Sequence, residues 1–380
     1  MEIRHAKGVT SRQARTGWPE GTYEDEHGRN GFSGEVSMLY RAHPPTRWTR
    51  IEGDLKPRAI DSLAVQPTDQ LDPAGIPERI LHNSDVHVYV SRRREAMSYY
   101  MRNADGDEIY FVHTGRGTVE SDYGPLPYET GDYVVVPKGT NYRIVPDVPD
   151  NFFLIVESRK GPVTFPDRGL FGQHLPFDFA LLQTPDPQPA PDETEPREYE
   201  LRIKRADRWT RVYHDFCPLD VVGWTGNLSV YKLNVRDLRG PSSERTHLPP
   251  ISYATFQCPG FWVVTFQPKP FETAPDAVRV PSYHRNVDYD EVVFTHSGRL
   301  MSRAADQGAA TLTLHPAGIH HGPNPRAFEA AKKLDRMEAY LVNIDSEQPL
   351  AWTQAFTDAE DPGYWATFSD QPVRVDGGQA

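Results

Sequence analysis

Residues 285–300 read RNVDYDEVVFTHSGRL, and far upstream residues 102–117 read RNADGDEIYFVHTGRG. Set side by side without a gap, Asn286, Asp288, Asp290, Glu291, His296 and Gly298 recur as Asn103, Asp105, Asp107, Glu108, His113 and Gly115. Agreement at that density marks an internal repeat. In each copy an acidic turn leads into a run of β-branched and aromatic residues that a glycine ends, which is the pattern of a strand. A further strand-like run and a Pro-x-Gly turn follow: Pro137-Lys-Gly139-Thr-Asn-Tyr142 in the first copy, Pro316-Ala-Gly318-Ile-His320-His321 in the second. The chain therefore reads as a duplicated β-domain.

Outward from the repeat, similar runs occupy 86–91, 108–114, 132–137, 152–158, 261–267, 291–297 and 338–344, each bounded by turn residues. Many short strands between turn signals predict sandwiches or barrels. The 35 prolines and 28 glycines are scattered over all 380 residues, so few windows can hold an uninterrupted helix. PRAFEAAKK (325–333) is the exception, with Pro in its first turn and lysines near its end. Between the copies, TPDPQPAPDETEP (184–196) is Pro-rich, acidic and without apolar period, and reads as a linker. The expected organisation is an N-terminal domain with an extension over 1–183, a linker over 184–198 and a C-terminal domain over 199–380.

The formal net charge is −12, with 41 Lys and Arg interspersed among 53 Asp and Glu, which argues against a nucleic-acid partner. The 18 Tyr, 17 Phe and 7 Trp are too many for a disordered acidic chain. No window approaches the roughly 18 to 20 apolar residues that span a bilayer, and MEIRHAKGVTSRQAR has no secretory apolar core. A cytoplasmic protein without membrane contact is expected. Cys217 and Cys258 are the only cysteines and lack CxxC spacing, so any metal must be held by histidine and carboxylate.

The repeated segments resemble the paired motifs of the cupin superfamily, H-x-[HN] followed by Glu and Gly, then P-x-G-x-x-H. The second half meets them with His284-Arg-Asn286, Glu291, Gly298, Pro316, Gly318 and His321. In the first half Met101 stands where His284 is, and Tyr142 where His321 is. The resemblance implies a mainly β bicupin, two jelly-roll barrels with few short helices, of which one can coordinate a metal. Two imidazoles and one carboxylate from neighbouring strands form the facial triad suited to Fe(II), although ligand type alone is equally compatible with zinc or manganese. Adjacent residues of an extended strand point to opposite faces, so only one of Asp290 and Glu291 should reach the ion. Motif spacing favours Glu291, and likewise His321 over His320. Asn286 shares a face with His284 and could hydrogen-bond a substrate or water. His296 has its counterpart His113 in the half without ligands, which favours a structural role.

A finer resemblance lies in PLDVVGWTGNLSVYKLN (218–234), His247-Leu-Pro-Pro-Ile-Ser, PSYHRN (281–286) and LHPAGIHHGPNP (314–325). With FSGEVSMLYRAHPPTRW (32–48) and DPGYWATF (361–368), this ordered set is similar to the homogentisate 1,2-dioxygenase family. That family implies a non-haem Fe(II) enzyme opening homogentisate with O2 to maleylacetoacetate, in tyrosine and phenylalanine catabolism, as a homo-oligomer of trimers pairing into hexamers. Matched residue by residue, His284, Glu291 and His321 take the ligand places, His247 the acid–base place, and His315 that of a second active-site histidine. A hydroquinone hydroxyl titrates near tyrosine's value of about 10, so metal coordination must lower it and a nearby imidazole can take the proton. The chain departs from the family at Ser282-Tyr283, where relatives have two tyrosines, and by one extra residue before Glu291. Leu300 and Arg303 lie nearest to where relatives carry Tyr and then Lys. Tyr283 and Arg303 are thus candidate substrate contacts, an arginine being able to grip an acetate carboxylate bidentately. Two other classes stay open, a metal cupin with isomerase or decarboxylase chemistry and a ligand-binding bicupin without catalysis.

Overall fold

The computed structural model describes residues 5–188, 197–298, 308–375 and 378–379. Each copy of the repeat supplies the central strand of a barrel. Asp107–Thr114 lies antiparallel between Asp132–Val136 and Phe152–Ser158. Asp290–Ser297 lies likewise between Thr311–His315 and Tyr340–Ser346. Alternation along these strands sends side chains two ways. Ile109, Phe111, Leu154, Val292, Phe294 and Ile344 belong to one large apolar cluster shared by the two central sheets. Tyr110, Val112 and Phe153 turn into the first barrel, while Val293 and Leu341 turn into the second. The barrels therefore stand back to back. Buried on both faces, these strands appear in the sequence as nearly continuous apolar runs. The mainly β bicupin expected from the repeat is the architecture observed.

The barrels do not follow the order of the chain. Strand Tyr283–Asn286 pairs in parallel with Tyr23–Gly28, which pairs antiparallel with Val36–Arg41. In the first barrel, Tyr100–Asn103 pairs in parallel with Tyr199–Arg205, and that strand pairs with Arg208–His214. Arg58–Asp61 then closes the sheet of the second barrel beside Thr311–His315, and Tyr231–Asn234 closes that of the first beside Asp132–Val136. Each half thus donates a hairpin and a strand to the other's barrel. The division into 1–183 and 199–380 describes the chain but not the barrels, because 199–234 hydrogen-bonds into the first barrel and 23–61 into the second. The cause is local: Tyr283–Asn286 and Tyr100–Asn103 present a free edge, and the exchanged arms satisfy its N–H and C=O groups.

The helix expected at 325–333 is present as Pro325–Ala331, its N-terminus capped by Asn324, whose side chain accepts from the Arg326 N–H. No helix among the described residues is long and apolar enough to cross a membrane.

Candidate metal centre

Three short segments build the site inside the second barrel. Strand Tyr283–Asn286 directs His284 inward, and Asp290–Ser297 directs Glu291 inward. After Thr311–His315 the chain reverses at Gly318, whose φ of +89° falls in the left-handed region that glycine tolerates. The Gly318 N–H donates to the Asn286 carbonyl at 2.7 Å, and His284 and His321 then exchange two backbone hydrogen bonds of 3.0 and 2.9 Å. That reversal brings the last imidazole opposite the first, with ring centroids 4.2 Å apart.

One ligand atom each from His284, Glu291 and His321 lies within 4.8 Å of the others, and all three residues are buried. Glu291 Oε2 is 3.9 Å from His284 Nε2 and 3.8 Å from His321 Nε2. The opposite ring nitrogens are occupied: His284 Nδ1 lies 2.9 Å from the Ser282 carbonyl, and His321 Nδ1 3.2 Å from that of Ile319. With a proton held on Nδ1 by the carbonyl, Nε2 is the nitrogen of each ring that can offer a lone pair to an ion, the role that such carbonyls play for metal-binding histidines. His321 Nε2 is buried without a hydrogen-bond partner. An orphaned buried nitrogen aimed at a carboxylate and a second imidazole fits a divalent ion.

The three residues shape one another's charge. Burial works to raise Glu291, yet the surrounding imidazoles of His284, His315 and His321, of which His315 is hydrogen-bonded at 3.0 Å, hold it well below the usual carboxylate range. Burial, reinforced by the charge of His284, pulls His321 down to about 3, so its imidazole stays neutral. His284 is raised despite its burial, because Glu291 and the Ser282 carbonyl favour its charged form. Asp345, opposite Glu291 on the neighbouring strand, is pushed up to about 8 by burial and by the Glu291 charge.

The paired alternatives of the sequence separate cleanly. Asp290 faces away, its carboxylate accepting from the N–H groups of Ala317 and Leu350 at 2.7 Å each. His320 lies outside, against Asp25 at 3.1 Å and Arg285 at 2.6 Å. His315 bridges Glu291 Oε1 and the Tyr364 hydroxyl, both at 3.0 Å. Asn286 lies 3.5 Å from Glu291 Oε2, on the side of a small space beside Trp262 and Asp345. His247 lines the same cavity as His284, Glu291 and His321, which also touches His315, Lys269 and Arg279 and holds about 130 Å³. Its remaining walls are apolar, among them Phe266, Phe271, Val293 and Leu341.

Tyr283 does not reach this cavity. Neighbour to His284 in a strand, it points to the other face and packs edge-on against Tyr23 at 6.1 Å. Leu300 and Arg303 lie outside the described residues. Sequence reasoning passed over Lys269, Glu272 and Arg279, charged residues without a motif, and Tyr364, whose signal was the quoted DPGYWATF run. His296 and His113 meet between the barrels, Nδ1 to Nδ1 at 3.0 Å, away from the ligands.

Fold and site together define a bicupin with a two-histidine, one-carboxylate centre in its second barrel. A family profile described as homogentisate 1,2-dioxygenase N-terminal matches residues 71–235, the stretch that ends with the strand donated to the first barrel. A Saccharolobus solfataricus protein named "putative dioxygenase" is 31% identical over 363 residues, covering 90% of this chain and 91% of its own. The chain belongs to the homogentisate 1,2-dioxygenase-like family of cupins. Among solved structures, a cupin 2 conserved barrel domain protein from Leptotrichia buccalis matches at 9% identity with a TM-score of 0.37, over 76% of this chain and 96% of its own. Ylba from E. coli matches at 10% identity and the same TM-score, over 78% of this chain and 94% of its own.

Proposed function

We propose that the protein is a ring-cleaving dioxygenase that opens homogentisate, or a hydroquinone acid close to it, with O2 to give maleylacetoacetate, using Fe(II) held by His284, Glu291 and His321. The observation that carries this reading is the buried, unpartnered His321 Nε2 beside Glu291 and His284 on the wall of a largely apolar cavity. Iron in such a set supplies an open position for dioxygen and acidifies a coordinated hydroxyl. The chain supplies the rest. His247 accepts the proton of the substrate hydroxyl, which a free hydroquinone would hold to a pH of about 10. Phe266, Phe271, Val293 and Leu341 exclude water from the ring. Arg279 offers the acetate carboxylate a guanidinium, one nitrogen of which is already fixed by the Lys332 and Leu334 carbonyls at 2.9 Å each. His315, pinned by Tyr364, orients Glu291.

Anaerobic purification with metal analysis, then oxygen-electrode assays with homogentisate, tests the reading. One O2 consumed per ring opened, with a new enol absorbance, is expected. His284→Ala should lose the metal, and His247→Ala should keep it and lose turnover. Metal retention in His284→Ala refutes the ligand set, and bound metal without oxygen uptake moves the protein to non-oxidative cupin chemistry.

A further inference from the structure

Beyond the ligands, the cavity wall holds a buried ionic group that the proposed chemistry has not used. Glu272 is 1% exposed. Its Oε1 lies 3.2 Å from His247 Nδ1 and 3.1 Å from Lys269 Nζ, while its Oε2 has no hydrogen-bond partner. Lys269 is buried as well, with its ammonium 5.7 Å from the centre of the Tyr253 ring. A second cation approaches from the N-terminal segment: Arg15 donates to the His247 carbonyl at 3.2 Å and pairs with Glu26. Arg15 thus ties the backbone of His247, while its buried Nδ1 makes no hydrogen bond and has the Glu272 carboxylate 3.2 Å away. A buried carboxylate that needed only to neutralise Lys269 would not have to stand within hydrogen-bonding distance of the imidazole that lines the cavity.

We infer that Glu272 is the positioning residue for His247, holding Nδ1 protonated so that Nε2 is the nitrogen left to meet a substrate hydroxyl. Lys269 keeps Glu272 ionised and anchored. The inference rests on the reading of His247 as the base. In the step it serves, the substrate O–H bond breaks and an Nε2–H bond forms, leaving a phenolate and an imidazolium. Glu272 stays an anion throughout and stabilises that imidazolium, and the same proton returns to the product side when the ring has opened. The arrangement has the logic of a carboxylate behind a histidine base, in which the carboxylate fixes tautomer and orientation without itself taking the proton. The charges that face His247 are Glu272, Lys269 and Arg15; burial and the two cations lower its affinity for a proton, and Glu272 opposes them.

The test is Glu272→Gln beside Glu272→Asp. In Glu272→Gln, kcat with homogentisate should fall roughly 10²- to 10⁴-fold with metal content and KM near wild type. The acidic limb of the kcat/KM profile should move to lower pH, because the imidazolium has lost its counter-charge. Glu272→Asp should recover part of both. An imidazole NMR titration of His247 in zinc-loaded protein, assigned by loss of the signal in His247→Ala, reads the same contact without turnover. Wild type should show the proton on Nδ1 and a higher pKa than Glu272→Gln. An unchanged titration in a Glu272→Gln protein that has merely lost thermal stability overturns the inference and leaves the dioxygenase reading intact. A lowered titration in a protein inert toward homogentisate does the reverse.

Discussion

Two barrels made from one pattern keep buried carboxylates in opposite ways. In the first, Glu108 and Glu157 face each other across neighbouring strands; in the second, Glu291 and Asp345 occupy the same places. The first barrel carries its own cation. Lys204 Nζ lies 2.7 Å from both oxygens of Glu157, and the Tyr142 hydroxyl donates to Glu108 at 2.7 Å. Met101 and Tyr142 stand where imidazoles would be, and the interior is packed with Tyr99, Tyr110 and Phe153. Lys204 is opposite Asn103 on the donated strand, and the residue opposite Asn286 in the second barrel is Gly28. Among the described residues no Lys or Arg forms an ion pair with Glu291, which has three imidazoles instead. One barrel sets side-chain cations, Lys204 with Arg159 behind it, against its buried carboxylate; the other surrounds its carboxylate with imidazoles, where the proposed metal would supply the positive charge. The difference lies in which side of the pairing supplies the positive charge as much as in the motif residues themselves.

The sharpest way to break this comparison is to give one barrel the other's residue. His321→Tyr, copying Tyr142, should strip the bound metal and lower ring-opening activity by at least about 10³-fold, the order seen when a group needed for the chemistry is removed. Tyr142→His in the reverse direction should leave metal content at that of wild type, because Met101 offers no imidazole and Lys204 already supplies the charge. Elemental analysis of both purified variants reads the result, and metal gained by Tyr142→His would refute the account of the first barrel.

Next in size is the internal cation. Lys204→Met leaves the buried Glu157 with Arg159 at 3.6 Å as its remaining cation, so the loss should stay at or below the about 3–5 kcal/mol that breaking a buried pair costs. Urea unfolding should show that loss while metal content is untouched. Tyr142→Phe should cost less, about 1–3 kcal/mol, for the hydrogen bond that Glu108 loses. Burial and the Glu157 charge push Glu108 up to about 7, so this variant should be the less destabilised the more acidic the buffer. A Lys204→Met protein as stable as wild type would show that the ammonium is dispensable.

Much of this contrast was legible in the sequence. Met101 and Tyr142 against His284 and His321 told the barrels apart, since ligand identity is local information and the repeat supplied its own control. Period-two alternation allows only one of Asp290 and Glu291 to turn inward, and motif spacing points to Glu291. The exchange of arms was not legible: Tyr23–Gly28 and Arg58–Asp61 are short and partly polar, and their partners lie more than two hundred residues away. Nothing in a one-dimensional pattern reports such pairing. Lys204, Lys269 and Glu272 were missed for a related reason, because a charged residue is usually solvated and only the fold shows that these are buried. Tyr283, a candidate contact by its family position, neighbours His284 in the strand and so turns to the opposite face.

The smallest expected effect concerns the seam between the barrels, where the repeat meets itself. His113 and His296 occupy equivalent positions and share one hydrogen bond, Nδ1 to Nδ1 at 3.0 Å, which requires one ring to donate and the other to accept. Burial, with His296 adjacent, pulls His113 down to about 3; burial, with Arg236 adjacent, pulls His296 down to about 4. Both folded values lie below the free imidazole's value of about 6.5. Between that pH and about 4 the unfolded chain therefore binds protons that the folded chain refuses, and stability falls as the solution is acidified. The contribution is fully present above about pH 7, and each histidine adds a slope of up to about 1.4 kcal/mol per pH unit below it. Other groups titrate in the same window, so the informative quantity is a difference: His113→Gln, which can still hydrogen-bond His296, should show a flatter dependence of urea-unfolding stability on pH than wild type between pH 6.5 and 4. Equal slopes in the two proteins would mean that His113 binds its proton as readily in the folded chain as in the unfolded one, and that burial at the seam does not hold it neutral.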